Sequence, residues 1–271
     1  MEEDRTGAIR ELIRKARGCV LRCLYPRSEE QRRLNRIVSH IQVQERTFEE
    51  IYRASVRALQ RGETEVDAYL QRGGRNPIRF VTFVARPDAT ARRRIVAVQE
   101  ELRESALEHY VYPPEDLHVT VFGRPINVEE DGRIPDDLRR EVEETAESVF
   151  QEHAPVSIAL KGLNLSTSTV FVQAFNADGT LEALRRDLRT RLRARGVEPG
   201  GRFPWGLSIA HLNIVRFARP EVEPLMEAIA RMRALPLGSF AIHQVHFVRT
   251  DKYYSQDHTT LFRTFSLRTE D

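Results

Sequence analysis

Leu117-His118-Val119-Thr120-Val121-Phe122 and Ile209-Ala210-His211-Leu212-Asn213-Ile214 are the two stretches on which the fold turns. Each sets a histidine, an apolar residue, a small polar residue and another apolar residue inside an apolar run of strand length. In a strand, side chains two apart share a face. His118 and Thr120 therefore point together, with Val119 and Val121 turned to the core. His211 and Asn213 do the same, with Leu212 and Ile214 opposite. One copy of the pattern is cheap, since His258-Thr259-Thr260 also satisfies it. Two copies on otherwise apolar strands, one in each half of the same region, carry more.

Working outward, strands and helices alternate on either side of these motifs. Phe80–Ala85 is β-branched and aromatic and reads as a strand. Residues 88–107 and 136–152 read as helices, and Val156–Leu160 and Thr169–Phe175 as strands. A helix over 180–195, a strand over Ile209–Phe217, a helix over 221–233 and strands over Ser239–Arg249 and Leu261–Leu267 complete the region. The class is α+β, in two halves of similar content.

Residues 1–75 read as helices only, an all-α N-terminal extension. Ala8, Ile9, Leu12, Ile13, Ala16, Cys19, Val20, Cys23 and Leu24 form one apolar stripe that Pro26 ends. Ser28 with Gln31, and Thr47 with Glu50, have the spacing of capping boxes, and Gly62 suits a helix stop. A short helix is expected over 65–71. Arg72-Gly73-Gly74-Arg75-Asn76-Pro77 has linker composition, so the boundaries read 1–75 for the extension and 76–271 for the α+β domain.

Composition excludes several classes. The chain has 271 residues, 41% hydrophobic and 30% charged, with net charge +2, which does not suit a disordered chain. No apolar run has the length of a membrane span, so no membrane association is expected. The acidic start Met1-Glu2-Glu3-Asp4 does not read as a secretory signal, and two cysteines imply a reducing compartment, the cytoplasm. Lys15, Lys161 and Lys252 are the only lysines among 42 basic residues, so arginine dominates. Guanidinium groups fit phosphate oxygens, but 40 acidic residues nearly cancel them.

The chain resembles the two-histidine (2H) phosphoesterases, in particular their 2′–5′ RNA ligase-like and cyclic phosphodiesterase branch. The likeness rests on Pro113-Pro114-Glu115-Asp116-Leu117-His118-Val119-Thr120-Val121-Phe122-Gly123 and on His211-Leu212-Asn213-Ile214-Val215-Arg216. It also rests on the tail from Ser255 to Leu267, which resembles the closing strand. It spans about residues 77–267. The resemblance implies two pseudo-symmetric lobes whose antiparallel sheets flank a central cleft, with His118 and His211 as catalytic residues. Asn213 stands where the family usually has Thr or Ser; its amide can still donate to a phosphate oxygen.

Two imidazoles suit the opening of a 2′,3′-cyclic phosphate. An ordinary imidazole pKa near 6.5 lets one be neutral while its partner is charged. One takes the proton of water and the other protonates the departing ribose oxygen, with no cofactor and no metal. Thr120 and Asn213 would hold the non-bridging oxygens and Arg216 would add positive charge. Strict alternation, however, places Arg216 on the face opposite His211. Trp205, in Phe203-Pro204-Trp205-Gly206, and Tyr253 are candidates to stack on a base. The expected partner is a nucleotide or RNA end with a 2′,3′-cyclic phosphate or 2′–5′ linkage, hydrolysed or ligated. A non-catalytic nucleotide- or RNA-binding module on the same fold is the rival, and the N-terminal helices are candidates for self-association or protein contact.

Other features read more plainly. His243 and His246, three apart in one expected strand, would lie on opposite faces and share no metal. Arg185, Arg189 and Arg193 form a stripe on the helix 180–195, either a solvated face or a track for an RNA backbone.

Overall fold

The computed structural model describes residues 29–124, 131–199 and 209–268. The helix expected over 8–24, the cap at Ser28 and the base-stacking candidate Trp205 lie outside these residues. Contacts divide the chain into Met1–Ser39 and His40–Asp271, and every strand belongs to the second unit.

In chain order the elements are α1 (Glu29–Gln60), α2 (Ala68–Gln71), β1 (Arg79–Ala85), α3 (Ala89–Glu101), β2 (Tyr110–Val111) and β3 (Val119–Gly123). Then come α4 (Asp136–Glu152), β4 (Val156–Leu165), β5 (Thr169–Phe175), α5 (Thr180–Ala194) and β6 (Ala210–Arg216). Last are α6 (Glu223–Arg231), β7 (Pro236–Ile242), β8 (Gln244–Asp251), a 3₁₀ turn (Gln256–His258) and β9 (Thr260–Ser266).

Two antiparallel sheets result, ordered β3-β1-β8-β9 and β2-β6-β5-β4-β7. Each is built around one strand–helix–strand unit. In the first, β1 leads through α3 to β3 at its side; in the second, β5 leads through α5 to β6 at its side. The core faces bury Phe83, Phe150, Phe247 and Phe265 as one aromatic group, with Phe83 stacked on Phe247 at 4.7 Å.

Both motif strands carry a bulge at the same place. On β3, Phe122 pairs with Phe83 and Thr120 with Val84, so Val121 is the inserted residue. On β6, Val215 pairs with Val170 and Asn213 with Phe171, so Ile214 is inserted. The bulge falls on the fourth residue of each motif. An inserted residue puts two neighbours on the same side of the strand and resets the alternation beyond them.

Two expectations change. The strand expected over Ser239–Arg249 is two strands. β7 ends the second sheet, β8 lies inside the first, and His243 stands where the chain crosses between them. Thr47 and Glu50 start no helix, because α1 runs through them. Thr47 Oγ1 instead donates to the Val43 carbonyl one turn back, 2.9 Å away, as threonines inside helices do.

The portion of α1 from His40 onward lies across the second sheet. Phe48 and Ile51 pack on Phe171, Phe175 and Ile209 in a cluster of their own. Gln44 Nε2 donates to the Asn176 carbonyl at 2.9 Å, the Asn176 amide donates back to Gln44 Oε1 at 3.2 Å, and Asn164 Nδ2 donates to the Phe48 carbonyl at 2.8 Å. β5 is consequently buried on both faces along its whole length. Asp67 caps α2 by accepting the Tyr69 and Leu70 amides.

Candidate active site

On β6 the alternation is as read: Leu212 and Ile214 are fully buried, while His211 and Asn213 are partly open. The bulge at Ile214 then leaves Ile214 and Val215 both inward, and Arg216 returns to the face of His211 and Asn213. This resolves the misplacement that strict alternation gives Arg216. Its guanidinium donates twice to the Tyr112 hydroxyl, at 3.1 and 3.0 Å, and lies 5.8 Å from the centre of the Tyr253 ring.

β3 and β6 belong to different sheets yet lie against one another. Arg185, from α5, joins them. Its Nε donates to the Val121 carbonyl (2.8 Å), its Nη2 to the Thr120 carbonyl (2.8 Å) and its Nη1 to the Ile209 carbonyl (2.7 Å). Arg185 is only 8% exposed. One buried side chain thus holds the backbone of the first motif and the residue that leads into β6.

His118 immediately precedes β3 and is 4% exposed. Its Nδ1 lies 2.8 Å from the Asp116 carbonyl. A carbonyl can only accept, so Nδ1 carries the proton and Nε2 is the nitrogen left for chemistry. The loop behind is fixed from two sides. Arg86 Nη1 donates to the carbonyls of Glu115 and Leu117, and the Gln256 amide donates to Asp116 Oδ1 at 2.9 Å.

Burial depresses both imidazoles. His118 is pushed down to about 3, mainly by desolvation, with the charges of Arg86, His211 and Arg216 acting the same way and the bond to Asp116 opposing them. His211 is pushed down to about 4 by desolvation and by the charge of Arg185. Both rings are therefore neutral near pH 7 in the free protein.

Of the residues expected to bind substrate, Thr120 and Asn213 lie on the faces of their histidines. Thr120 Oγ1 is 3.4 Å from the Tyr254 hydroxyl. Asn213 Oδ1 is buried with no hydrogen-bond partner among the described residues. Tyr253 is fully buried, its hydroxyl donating to Asp67 Oδ1 and accepting the Asn76 amide, both at 3.1 Å. It has no open face for a base. Its neighbour Tyr254 stacks instead on His118, ring centres 3.6 Å apart. Tyr254 has φ +58°, a left-handed conformation that bulky residues rarely adopt and that clusters at functional sites.

Arg185 and Arg86 join this site although the histidine motifs do not point to them. Arg185 had a signal: it falls one turn after Leu181 and just before Leu188 on the apolar stripe of α5, not off it. The rest of the arginine stripe is engaged elsewhere. Arg189 lies over Phe122, and Arg193 pairs with Glu198. Among the described residues no group of three or more His, Cys, Asp or Glu is placed to hold a metal ion, and no helix is long and apolar enough to cross a membrane.

The chain is similar in fold to the crystal structure of TT0787 of Thermus thermophilus. The two are 20% identical over 70% of this chain and 99% of that one, with a TM-score of 0.52. Escherichia coli LigT, solved as a complex with NADP+, is 14% identical over 71% of this chain and 99% of its own, with a TM-score of 0.49. No curated protein matches the chain significantly. The 2′-5′ RNA ligase superfamily matches residues 86–253, a span that holds both histidine motifs and begins after α1 and α2. The chain belongs to the 2′-5′ RNA ligase superfamily, the 2H phosphoesterases.

Proposed function

We propose that the protein is a metal-independent phosphoesterase that opens a 2′,3′-cyclic phosphate, or cleaves a 2′–5′ linkage, at a nucleotide or RNA end, with His118 and His211 as its acid–base pair. The observation that carries this reading is the pairing of two neutral imidazoles on adjoining strands, each with a hydrogen-bonding side chain two residues on.

The substrate phosphate is itself an anion, and its charge restores a proton to one of the two depressed imidazoles. The neutral ring takes a proton from water as the water oxygen attacks phosphorus. The bond from phosphorus to one ribose oxygen breaks, and the protonated ring gives that oxygen its proton. The rings end with their states exchanged, which is the starting point for the reverse, ligating direction. Thr120 and Asn213 donate to the non-bridging oxygens where negative charge gathers. Arg216, pinned by Tyr112, supplies fixed positive charge.

The test is a panel of 2′,3′-cyclic nucleotides and 2′–5′ oligonucleotides in EDTA, with 2′- and 3′-phosphate products resolved. Turnover is expected in EDTA with a bell-shaped pH dependence. Since the bound anion raises the imidazole pKa values, the kcat optimum should lie at higher pH than that of kcat/KM. Turnover lost in EDTA and restored by a divalent metal would exclude the metal-free route. Binding of these ligands without any product would favour the non-catalytic module.

A further inference from the structure

His243 and His246 take no part in the chemistry above, yet both line one cavity of about 350 Å³. Arg86, Asp88, Gln244 and Arg268 are also on its wall. The sequence places these histidines on opposite faces of one strand. The sheet crossing at His243 is what lets both reach the same space.

The cavity adjoins the catalytic face. Val84 pairs with Thr120 on one side and with His246 on the other. Directly paired residues project to the same face of a sheet, so His246 stands in a row with Thr120, two strand spacings or about 10 Å away. Ala85 pairs with Val119, so Arg86, next along, stands beside His118. Its charge lowers the pKa of both His118 and His246.

The wall carries two guanidinium groups, Arg86 and Arg268, against one carboxylate, Asp88. Among the described residues, neither Arg86 nor Arg268 has a carboxylate within ion-pair distance. Asp88 is committed to the Ala91 amide at the start of α3, 2.7 Å away. His246 Nδ1 is held by Thr264 Oγ1 at 3.0 Å, which leaves Nε2 for a ligand. Beside His211, in contrast, the matching face of β5 is filled by Phe48 and Ile51 of α1. Among the described residues, a ligand that extends from the two histidines meets this cavity over the first sheet and the α1 side chains over β5.

We propose that this cavity is a second phosphate subsite, taking a phosphate monoester carried by the same nucleotide whose cyclic phosphate sits between His118 and His211. The assignment to substrate rests on the function proposed above. It is tested on the full chain with nucleoside 2′,3′-cyclic phosphates that differ only in having or lacking a 5′-phosphate. The 5′-phosphate should lower KM about tenfold, equivalent to about 1.4 kcal/mol. In the double variant Arg268→Glu, His246→Gln the ratio of the two KM values should fall to about one. A ratio taken on one protein cancels general damage to the fold. Equal KM values in the unaltered chain, or a ratio that survives both substitutions, overturns the subsite as a substrate site. If neither compound turns over, the proposed activity has failed separately, and inorganic phosphate then reads the cavity alone. Titrated phosphate should move the His243 and His246 ring resonances, and resonances that stay still would overturn the phosphate site itself. Shifts with inorganic phosphate but no KM gain from the 5′-phosphate would mean that the cavity takes free phosphate, against the substrate assignment.

Discussion

The two lobes share a frame and differ in what lies on it. In each, a strand leads through a helix to a neighbouring antiparallel strand, the histidine motif sits on the second strand, and a bulge falls on the fourth residue of the motif. The coverings are unlike. Over the first sheet, Tyr254 stacks on His118. Over the second, α1 lays Phe48 and Ile51 on Phe171 and Phe175, and Phe171 meets the His211 ring at a tilt, centres 5.2 Å apart. The common frame sets one imidazole on each lobe at the same point of its motif. The different coverings give each its own surroundings.

The sharpest way to break the equivalence is to remove each histidine in turn. His118→Ala and His211→Ala should each lower kcat for a cyclic phosphate by about 10²–10⁴-fold, with far-ultraviolet circular dichroism unchanged. If one variant keeps near-normal turnover, the lobes are not catalytic equals and a single-histidine mechanism replaces the pair.

Arg185 is the next target, because it is the side chain that holds the two motif strands in common. Arg185→Met removes donors from three carbonyls, those of Val121 and Ile209 buried and that of Thr120 partly so. Each buried acceptor left alone costs about 1–3 kcal/mol, partly offset by relief of the buried charge, so a net loss of about 3 kcal/mol is expected in urea unfolding. A purely structural role would stop there. The substitution also removes the positive charge that adds to desolvation in depressing His211, so the pKa of His211, followed by its ring resonance, should rise. An unmoved His211 pKa would leave Arg185 a structural residue.

The motif strands were legible because a half-open strand writes its faces as alternation, and His211-Leu212-Asn213-Ile214 does so residue by residue. The bulges were not, since no residue type encodes Val121 or Ile214 as an insertion; Arg216 on strict alternation therefore points the wrong way. The cover on the second sheet had a trace. Within Thr169–Phe175, Val170-Phe171-Val172 is apolar on both faces, as in a strand buried on both sides, although Gln173 interrupts the run. What lies over it cannot be read locally, because Phe48 is more than a hundred residues away in the chain. His243 is a third case: a continuous β-rich run from Ser239 to Arg249 hides a change of sheet, which costs the backbone one residue and leaves no composition mark.

Acid tests the burial of the pair with a smaller effect. His118 stays neutral in the folded chain until about pH 3, while an unfolded imidazole gains its proton below about 6.5. Between those values only the unfolded chain takes up that proton, so stability falls as pH falls. The slope is at most about 1.4 kcal/mol per unit. His118→Gln should lose about 2 kcal/mol less than the unaltered chain between pH 6.5 and 5, read from urea midpoints. Parallel losses in the two proteins would mean that His118 is not held neutral by the fold.

The smallest expected change comes from making the motifs alike. Asn213 is the one position where the second motif departs from the small hydroxyl residue of the first, and its Oδ1 is buried without a partner among the described residues. If a phosphate oxygen meets this residue in the transition state, the amide must present Nδ2 to it and leave Oδ1 unsatisfied. Asn213→Thr supplies one rotatable donor, as Thr120 does, and removes the orphaned acceptor. A gain in kcat of a few fold is expected, worth less than about 1.4 kcal/mol, with KM little changed because the contact strengthens as charge builds. A fall in kcat would show that the longer Asn213 side chain spans a gap the first lobe does not have, and that the two halves hold the phosphate at unequal depth.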